Sequence, residues 1–407
     1  MQFGSFMVGV PAVPREILYL ILIFGLMVIP RVLQRFKLPA PLTCFALGIA
    51  AVLSLGSSGH DDTLALLSTL GISSLFLFAG LEVELGDFAE GKWPLIGHLF
   101  VLSLVLSGAI YLGINWLGFS WQISALLGLA LLTPSTGFIL DTLQSLELTD
   151  NEQYWVRIKA ITGELFALVV LFAVLQSGSV QTLAWSSAAL LGMIVGLPLL
   201  FLFLGRSVIP YARGSEFSLL LMVGVVAAFA TYQLGVYYLV GAFLAGFIAR
   251  LLRKRMPGLA STQNLHAIQM FASFFVPFYF FYNGMKVPGG ALSLEALKLG
   301  VLMTVVVVPL RLVLVWLQRR FIKGESAKGS LRVAAALTPT LIFTLVLATI
   351  LRERYGISEA LYGALLIYAG LTTLLPSLAL SRPVDFDLLG TQADIPETEP
   401  AEASPQT

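Results

Sequence analysis

The sequence has a single cysteine, Cys44, and three histidines, His60, His98 and His266. One cysteine excludes an intramolecular disulfide and any cysteine-based metal cluster, and the histidines are scattered without metal-ligand spacing. Charge is the second shortage. Only 12% of residues are charged, against the roughly one quarter that keeps the surface of a soluble domain wet. The formal net charge is +1, so there is no basic or acidic excess pointing to a nucleic-acid partner. His-Glu-x-x-His, Gly-x-Ser-x-Gly and paired aspartates are missing from the apolar runs, which leaves an intramembrane enzyme without support. No cofactor is implied. The first fourteen residues contain neither Lys nor Arg, and no cleavable signal peptide is expected.

What the chain has is apolar length: 57% of its residues are hydrophobic and its mean hydropathy is +0.90. About 20 apolar residues cross a hydrocarbon core of roughly 30 Å. This gives thirteen candidate spans, at about 15–31, 39–56, 63–81, 95–117, 121–143, 156–176, 183–204, 216–234, 236–252, 266–285, 294–317, 331–351 and 358–380. The expected fold class is an all-α polytopic membrane protein. A segment over 1–14 precedes the transmembrane domain at 15–382. The tail at 383–407 carries Asp385, Asp387, Asp394, Glu397, Glu399 and Glu402 among prolines and reads as disordered.

Lys and Arg placement sets the direction. With the N-terminus outside, inner connections receive Arg31, Arg35, Lys37, Arg157, Lys159, Arg206, Arg213, Arg250, Arg253, Lys254 and Arg255, then Arg319, Arg320, Lys323, Lys328 and Arg332. The outer side keeps Arg15, Lys286, Lys298, Arg352 and Arg354. The expectation is a bacterial inner-membrane protein with its N-terminus outside and its C-terminus in the cytoplasm. Glu82, Glu84, Asp87 and Glu90 form an acidic inner connection.

Three short words recur. Phe45-Ala46-Leu47-Gly48 echoes Phe243-Leu244-Ala245-Gly246, Ala79-Gly80-Leu81-Glu82 echoes Asn283-Gly284-Met285-Lys286, and Leu132-Thr133-Pro134-Ser135 echoes Leu337-Thr338-Pro339-Thr340. The offsets, read at the glycines and prolines, are 198, 204 and 205 residues, and each pair lies seven spans apart. Seven is odd, so the copies cross the bilayer in opposite directions, the inverted repeat typical of secondary transporters. The expected first repeat covers about 15–176, a linker helix 183–204, and the second repeat 216–380. Pro134 and Pro339 each remove a backbone donor and free a carbonyl. Broken backbone at that depth is tolerated only inside protein or beside a watery cavity. Thr133, Ser135, Thr136, Thr338 and Thr340 surround the two breaks with hydroxyls.

Two ionisable residues lie deep within the expected spans. Glu164 is about 12 Å from the inner end of the sixth and Arg311 about 9 Å from that of the eleventh, at 1.5 Å per residue. A buried charge costs at least about 2.5–3.5 kcal/mol on insertion scales, and such residues pair or mark an ion path. Glu164 can lose and regain a proton, so one carboxylate that binds either a proton or a cation is the minimum device for exchange. Arg311 keeps its proton and acts as a fixed charge partner.

The run from Leu70 to Glu82 with its Gly80-Leu81-Glu82, the run from Leu234 to Gly246, Phe280-Phe281-Tyr282-Asn283-Gly284-Met285, and Arg35-Phe36-Lys37-Leu38-Pro39 together resemble the monovalent cation:proton antiporter-2 family, Kef-type branch. The resemblance covers about residues 15–380. It implies thirteen helices in a sodium/proton antiporter-like fold, a homodimer, and a core that moves against a dimerisation domain as an elevator. It also implies that the fifth and twelfth spans unwind and cross, that Glu164 sits at the ion-carrying acid position, and that Arg311 takes the place of a basic residue near the broken helices. Many members carry two adjacent acids, or an amide and an acid, where this chain has Gly163-Glu164.

The expected function is exchange of a monovalent cation, Na+ or K+, for H+, electroneutral because one carboxylate serves both. A gated cation channel and a transporter for a small organic anion on a related crossed-helix fold stand as alternatives. The partners are then the cation, the proton and the lipid bilayer.

Overall fold

The structure, a computed structural model, describes residues 14–55, 61–83, 86, 91–212, 214–235, 237–322 and 324–380. The N-terminal segment apart from Pro14, the acidic tail, His60, Arg213, Lys323, and Glu84, Asp87 and Glu90 of the acidic connection lie outside these residues.

The described chain is helical almost throughout. Its helices are α1 (Arg15–Gln34), α2 (Ala40–Leu55), α3 (Asp62–Leu81), α4 (Lys92–Asn115), α5 (Trp121–Leu132), α6 (Thr136–Thr142), α7 (Asp150–Gln176), α8 (Val180–Ser207), α9 (Glu216–Gln233), α10 (Tyr238–Leu251), α11 (Thr262–Met285), α12 (Leu294–Ile322), α13 (Ala327–Ala336), α14 (Leu341–Tyr355) and α15 (Glu359–Ala379). Their starts follow capping chemistry. Asp61, Ser120, Ser179, Ser261, Ser326 and Ser358 each accept a backbone N–H of the following helix. Gly356, at φ 63°, closes α14 in the left-handed conformation that costs glycine least.

Every expected span is occupied by a helix, and the fifth and twelfth by two helices each. Among the described residues ten helical segments, α5 with α6 counted as one, are long and apolar enough to cross a membrane, and α13 with α14, bent by 45°, make an eleventh. The other two, α2 with 16 residues and α10 with 14, reach only about 24 and 21 Å at 1.5 Å per residue. The chain is therefore a multi-pass membrane protein. One boundary differs in a way that matters. α7 begins at Asp150, because Thr149 and Glu152 form a capping box there. Arg157 and Lys159 thus ride inside a helix instead of on an inner connection. Lys159 is fully buried and donates to Gln318 Oε1, which also lies 3.2 Å from His98 Nδ1.

The repeated words meet one another. A Cβ placed on Gly48 of α2 would lie 2.1 Å from Phe281 O, and one on Gly284 of α11 2.2 Å from Phe45 O. A Cβ on Gly246 of α10 would lie 2.1 Å from Leu77 O, and one on Gly80 of α3 2.2 Å from Phe243 O. Phe45, Gly48, Leu77 and Gly80 correspond to Phe243, Gly246, Phe281 and Gly284 at the offsets above, so each contact between the halves becomes another when the halves are exchanged. A Cβ on Gly71 would lie 2.4 Å from Phe275 O, and 275 is 71 plus the offset of 204. That contact maps onto itself, which puts the pseudo-two-fold axis between α3 and α11. Glycine is required at these crossings because backbone meets backbone.

Helices α1, α4, α8 and α12 bury little of their length, whereas α3, the α5–α6 segment and α7 are mostly enclosed. Large apolar side chains such as Phe24, Phe100, Leu199 and Val305 are exposed on the first group. In lipid such a face needs no polar cover, so the α5–α6 and α13–α14 breaks lie inside a collar of apolar helices.

Candidate functional site

The two broken spans cross through their non-helical links. α5 ends at Leu132 with Thr133 extended (φ −79°, ψ 122°), and Ser135 precedes α6 (φ −88°, ψ 93°). Opposite, α13 ends at Ala336 and α14 starts after Thr340. At the crossing Ser135 N donates to Pro339 O at 2.8 Å. This joins the two prolines that the sequence marked as helix breakers.

Four half-helix ends now meet in the protein interior, each with orphan backbone groups. Each end is satisfied by a side chain from elsewhere. Ser135 Oγ accepts from Ile342 N at 2.9 Å and Phe343 N at 3.3 Å, capping α14 from the other broken span. Thr344 Oγ1 and Tyr368 Oη donate to Ala130 O and Leu131 O of α5, at 2.7 and 2.6 Å. Arg311 donates to Leu337 O at 2.8 Å and Thr338 O at 2.9 Å, closing the C-terminus of α13, and to Tyr368 Oη at 3.2 Å. A cation there also complements the negative end of the helix dipole. The fourth end is held by Glu164, whose Oε2 accepts from Thr136 N at 3.1 Å at the first residue of α6. A carboxylate at a helix N-terminus is stabilised by the same dipole.

Glu164 is 3% exposed and Arg311 8%, yet no ion pair joins them among the described residues. Whether the two pair, which the sequence leaves open, is answered here by separate partners. They cap different half-helices, and Arg311 is compensated by carbonyl oxygens. Of the other expected residues, Thr338 Oγ1 donates to Ala335 O at 2.7 Å and Thr340 Oγ1 lies 3.1 Å from Thr372 Oγ1, so both brace the second break. Thr133 is 3% exposed beside Pro134 and Gly163 in a small void. Thr136 Oγ1 is buried close enough to Glu164 to act on its carboxylate, without a hydrogen bond of good geometry. Gly163 supplies space: a Cβ on it would lie 3.2 Å from Pro134 Cδ. A side chain at this position would press on the Pro134 ring. The side chain of Asp141 lies outside the described residues.

Tyr368, Thr344 and Thr372 escaped sequence reasoning. Tyr368 is fully buried in the apolar α15, and a tyrosine in the middle of a span was the one available signal, since a buried phenol seeks a partner.

The sequence profile described as "Sodium/hydrogen exchanger, transmembrane" matches residues 19–385. A "Probable Na(+)/H(+) antiporter 3" of Methanocaldococcus jannaschii is 24% identical over 375 residues, covering 89% of this chain and 95% of the relative. The "Putative Na(+)/H(+) antiporter YjbQ" of Bacillus subtilis is 26% identical over 400 residues, covering 87% of this chain and 60% of its own length. The solved structure of the sodium proton antiporter MjNhaP1 from M. jannaschii superposes with a TM-score of 0.65 at 15% identity, over 90% of this chain and 95% of that one; it shares the fold. None of these descriptions carries the Kef-type branch of the sequence resemblance, and the broader assignment is the one that stands. With the match spanning nearly all of its described helices, the chain belongs to the sodium/hydrogen exchanger family.

Proposed function

We propose that this chain is a secondary transporter exchanging Na+ for H+, with Glu164 as the group that carries both. The observation behind this reading is a single buried carboxylate at the N-terminus of a broken helix, beside the buried Thr136 hydroxyl, in a fold whose relatives bear the names of Na+/H+ antiporters. Deprotonated, Glu164 offers carboxylate oxygens, one of them already held by Thr136 N, as cation ligands. Thr136 Oγ1 stands ready as a neutral oxygen, the donor type that hard cations take. Protonated, Glu164 has no charge to hold a cation. Competition at one oxygen site is then sufficient for coupling, and exchange at a single carboxylate is electroneutral.

The cross-capped half-helices belong to a rigid unit, and alternating access is achieved by moving that unit against the α2–α3–α10–α11 group, an elevator-type motion. A homodimer, an outside N-terminus and the repeat boundaries at 15–176 and 216–380 complete the proposal. K+ in place of Na+ is a question of ligand number at Glu164. The organic-anion alternative is disfavoured, because Arg311 already donates to two carbonyls and a phenol.

The test is cation-induced proton movement in proteoliposomes carrying a pH dye, for wild type and Glu164→Gln. Na+ should dissipate an imposed gradient with wild type and not with the variant, and an imposed membrane potential should leave the rate unchanged. Full activity in Glu164→Gln defeats the mechanism, and voltage dependence defeats electroneutrality.

A further inference from the structure

A cavity of about 240 Å³ separates α1, α2, α3 and α11 from the first turns of α6 and α14. Gly137, Phe138 and Ile342 form part of its wall. Gly137 comes directly after Thr136, whose amide holds Glu164, and Ile342 donates its own amide to Ser135 Oγ. The cavity wall thus includes the residue next in sequence to the one whose amide holds Glu164. Most of its wall is apolar, and its polar side chains include Gln34, Gln269 and Ser273. Arg31, exposed in the last turn of α1, is the one charged residue on the wall among the described residues. No carboxylate lies within ion-pair reach of its guanidinium among them.

Among the described residues, then, Arg31 has no ion-pair partner and stands on the wall of a cavity that reaches the first turn of α6. Apolar walls focus the field of a charge. A sphere of this volume is about 8 Å across, comparable with the Debye length at physiological salt, so the charge is felt throughout the space. It lowers the local concentration of monovalent cations by a factor, and that of divalent cations by the square of the factor, because the energy scales with valence. We propose that Arg31 is the specificity-determining charge of the entry vestibule, holding back divalent cations more than monovalent ones on their way to Glu164. The proposal rests on the reading of Glu164 as the carrier, and its test is built to be separable from that reading.

The local potential is measured without transport. In a Cys44→Ser background, Ser273→Cys places a thiol on the wall, and its modification rates by a quaternary-ammonium and a sulfonate methanethiosulfonate are compared in membrane vesicles. Adding Arg31→Gln should raise the cation-to-anion rate ratio by roughly threefold or more at low salt, as expected for removing one focused charge. The gain should vanish near 1 M salt, where the Debye length is about 3 Å. Arg31→Lys should keep the original ratio. An unchanged ratio in Arg31→Gln, or an equal change in Arg31→Lys, overturns the assignment. In exchange assays, Arg31→Gln should make Mg2+ a stronger inhibitor while lowering the apparent KM for Na+. A KM for Na+ that falls without any gain in Mg2+ inhibition overturns the valence argument. Wild type inactive with Na+ refutes the proposed function instead, and the thiol ratio still reports what Arg31 does in the vestibule.

Discussion

Ser135→Ala removes one oxygen that serves two amides of α14. In the native structure Ser135 Oγ accepts two amides, Ile342 N and Phe343 N, from residues that are 3% and 0% exposed. Loss of an N-cap oxygen costs about 0.5–2 kcal/mol. Here neither donor can turn to water, and each buried orphan costs about 1–3 kcal/mol. The two penalties overlap, since one amide has the poorer geometry, so about 2–3 kcal/mol is expected for the pair. Spread over a chain of this size, that corresponds to a fall of a few degrees in apparent Tm, at about 2–4 °C per kcal/mol or less. The assay is thermal unfolding of purified protein in detergent, monitored by intrinsic fluorescence, with exchange activity measured in parallel. Ser135→Thr keeps the oxygen and should recover most of the loss. Ser135→Ala within about 1 °C of wild type and fully active would refute the idea that one broken span caps the other.

Neighbouring residues carry the other tests. Arg311→Lys keeps the charge but cannot reach Leu337 O, Thr338 O and Tyr368 together. It should therefore lose stability nearly as Arg311→Gln does; rescue by lysine of both stability and exchange would restore the charge-partner role. Gly163→Ala brings a methyl to 3.2 Å from Pro134 Cδ, tighter than normal packing. It should cost about 1–3 kcal/mol as an overpacking change, read as lower Tm and slower exchange, whereas an unaffected variant would show that the break can yield. Gly246→Ala faces Leu77 O at 2.1 Å and, being set against backbone, should be the more severe of the two glycine changes, visible as a loss of folded protein on size-exclusion chromatography.

Much of the frame was legible because hydropathy and proline are local signals. The helical segments, the two breaks at Pro134 and Pro339, and the lone carboxylate at Glu164 need no knowledge of neighbours. The glycine words Gly48, Gly80, Gly246 and Gly284 showed that a repeat existed, but their partners emerged only from the packed helices. Lys159, counted with the inner charges, is instead buried against Gln318, a contact across 159 residues of sequence that hydropathy does not announce. The link from Arg311 to the end of α13, and the roles of Tyr368 and Thr344, were not legible: they are contacts between residues far apart in sequence on helices that are apolar all round, where periodicity does not mark the inward face. Two buried charges of opposite sign at compatible depths suggested a pair. The half-helix ends, with their partial charges, offered each a different partner.

The central claim is that proton and cation compete for Glu164. It is tested most directly by titrating purified protein with Na+ in detergent and counting released protons calorimetrically in buffers of different ionisation enthalpy. Competition predicts proton release of up to one per Na+ bound, an apparent Kd for Na+ that rises as pH falls, and neither response in Glu164→Gln. Na+ binding that releases no proton at any pH, or that persists in Glu164→Gln, would contradict it.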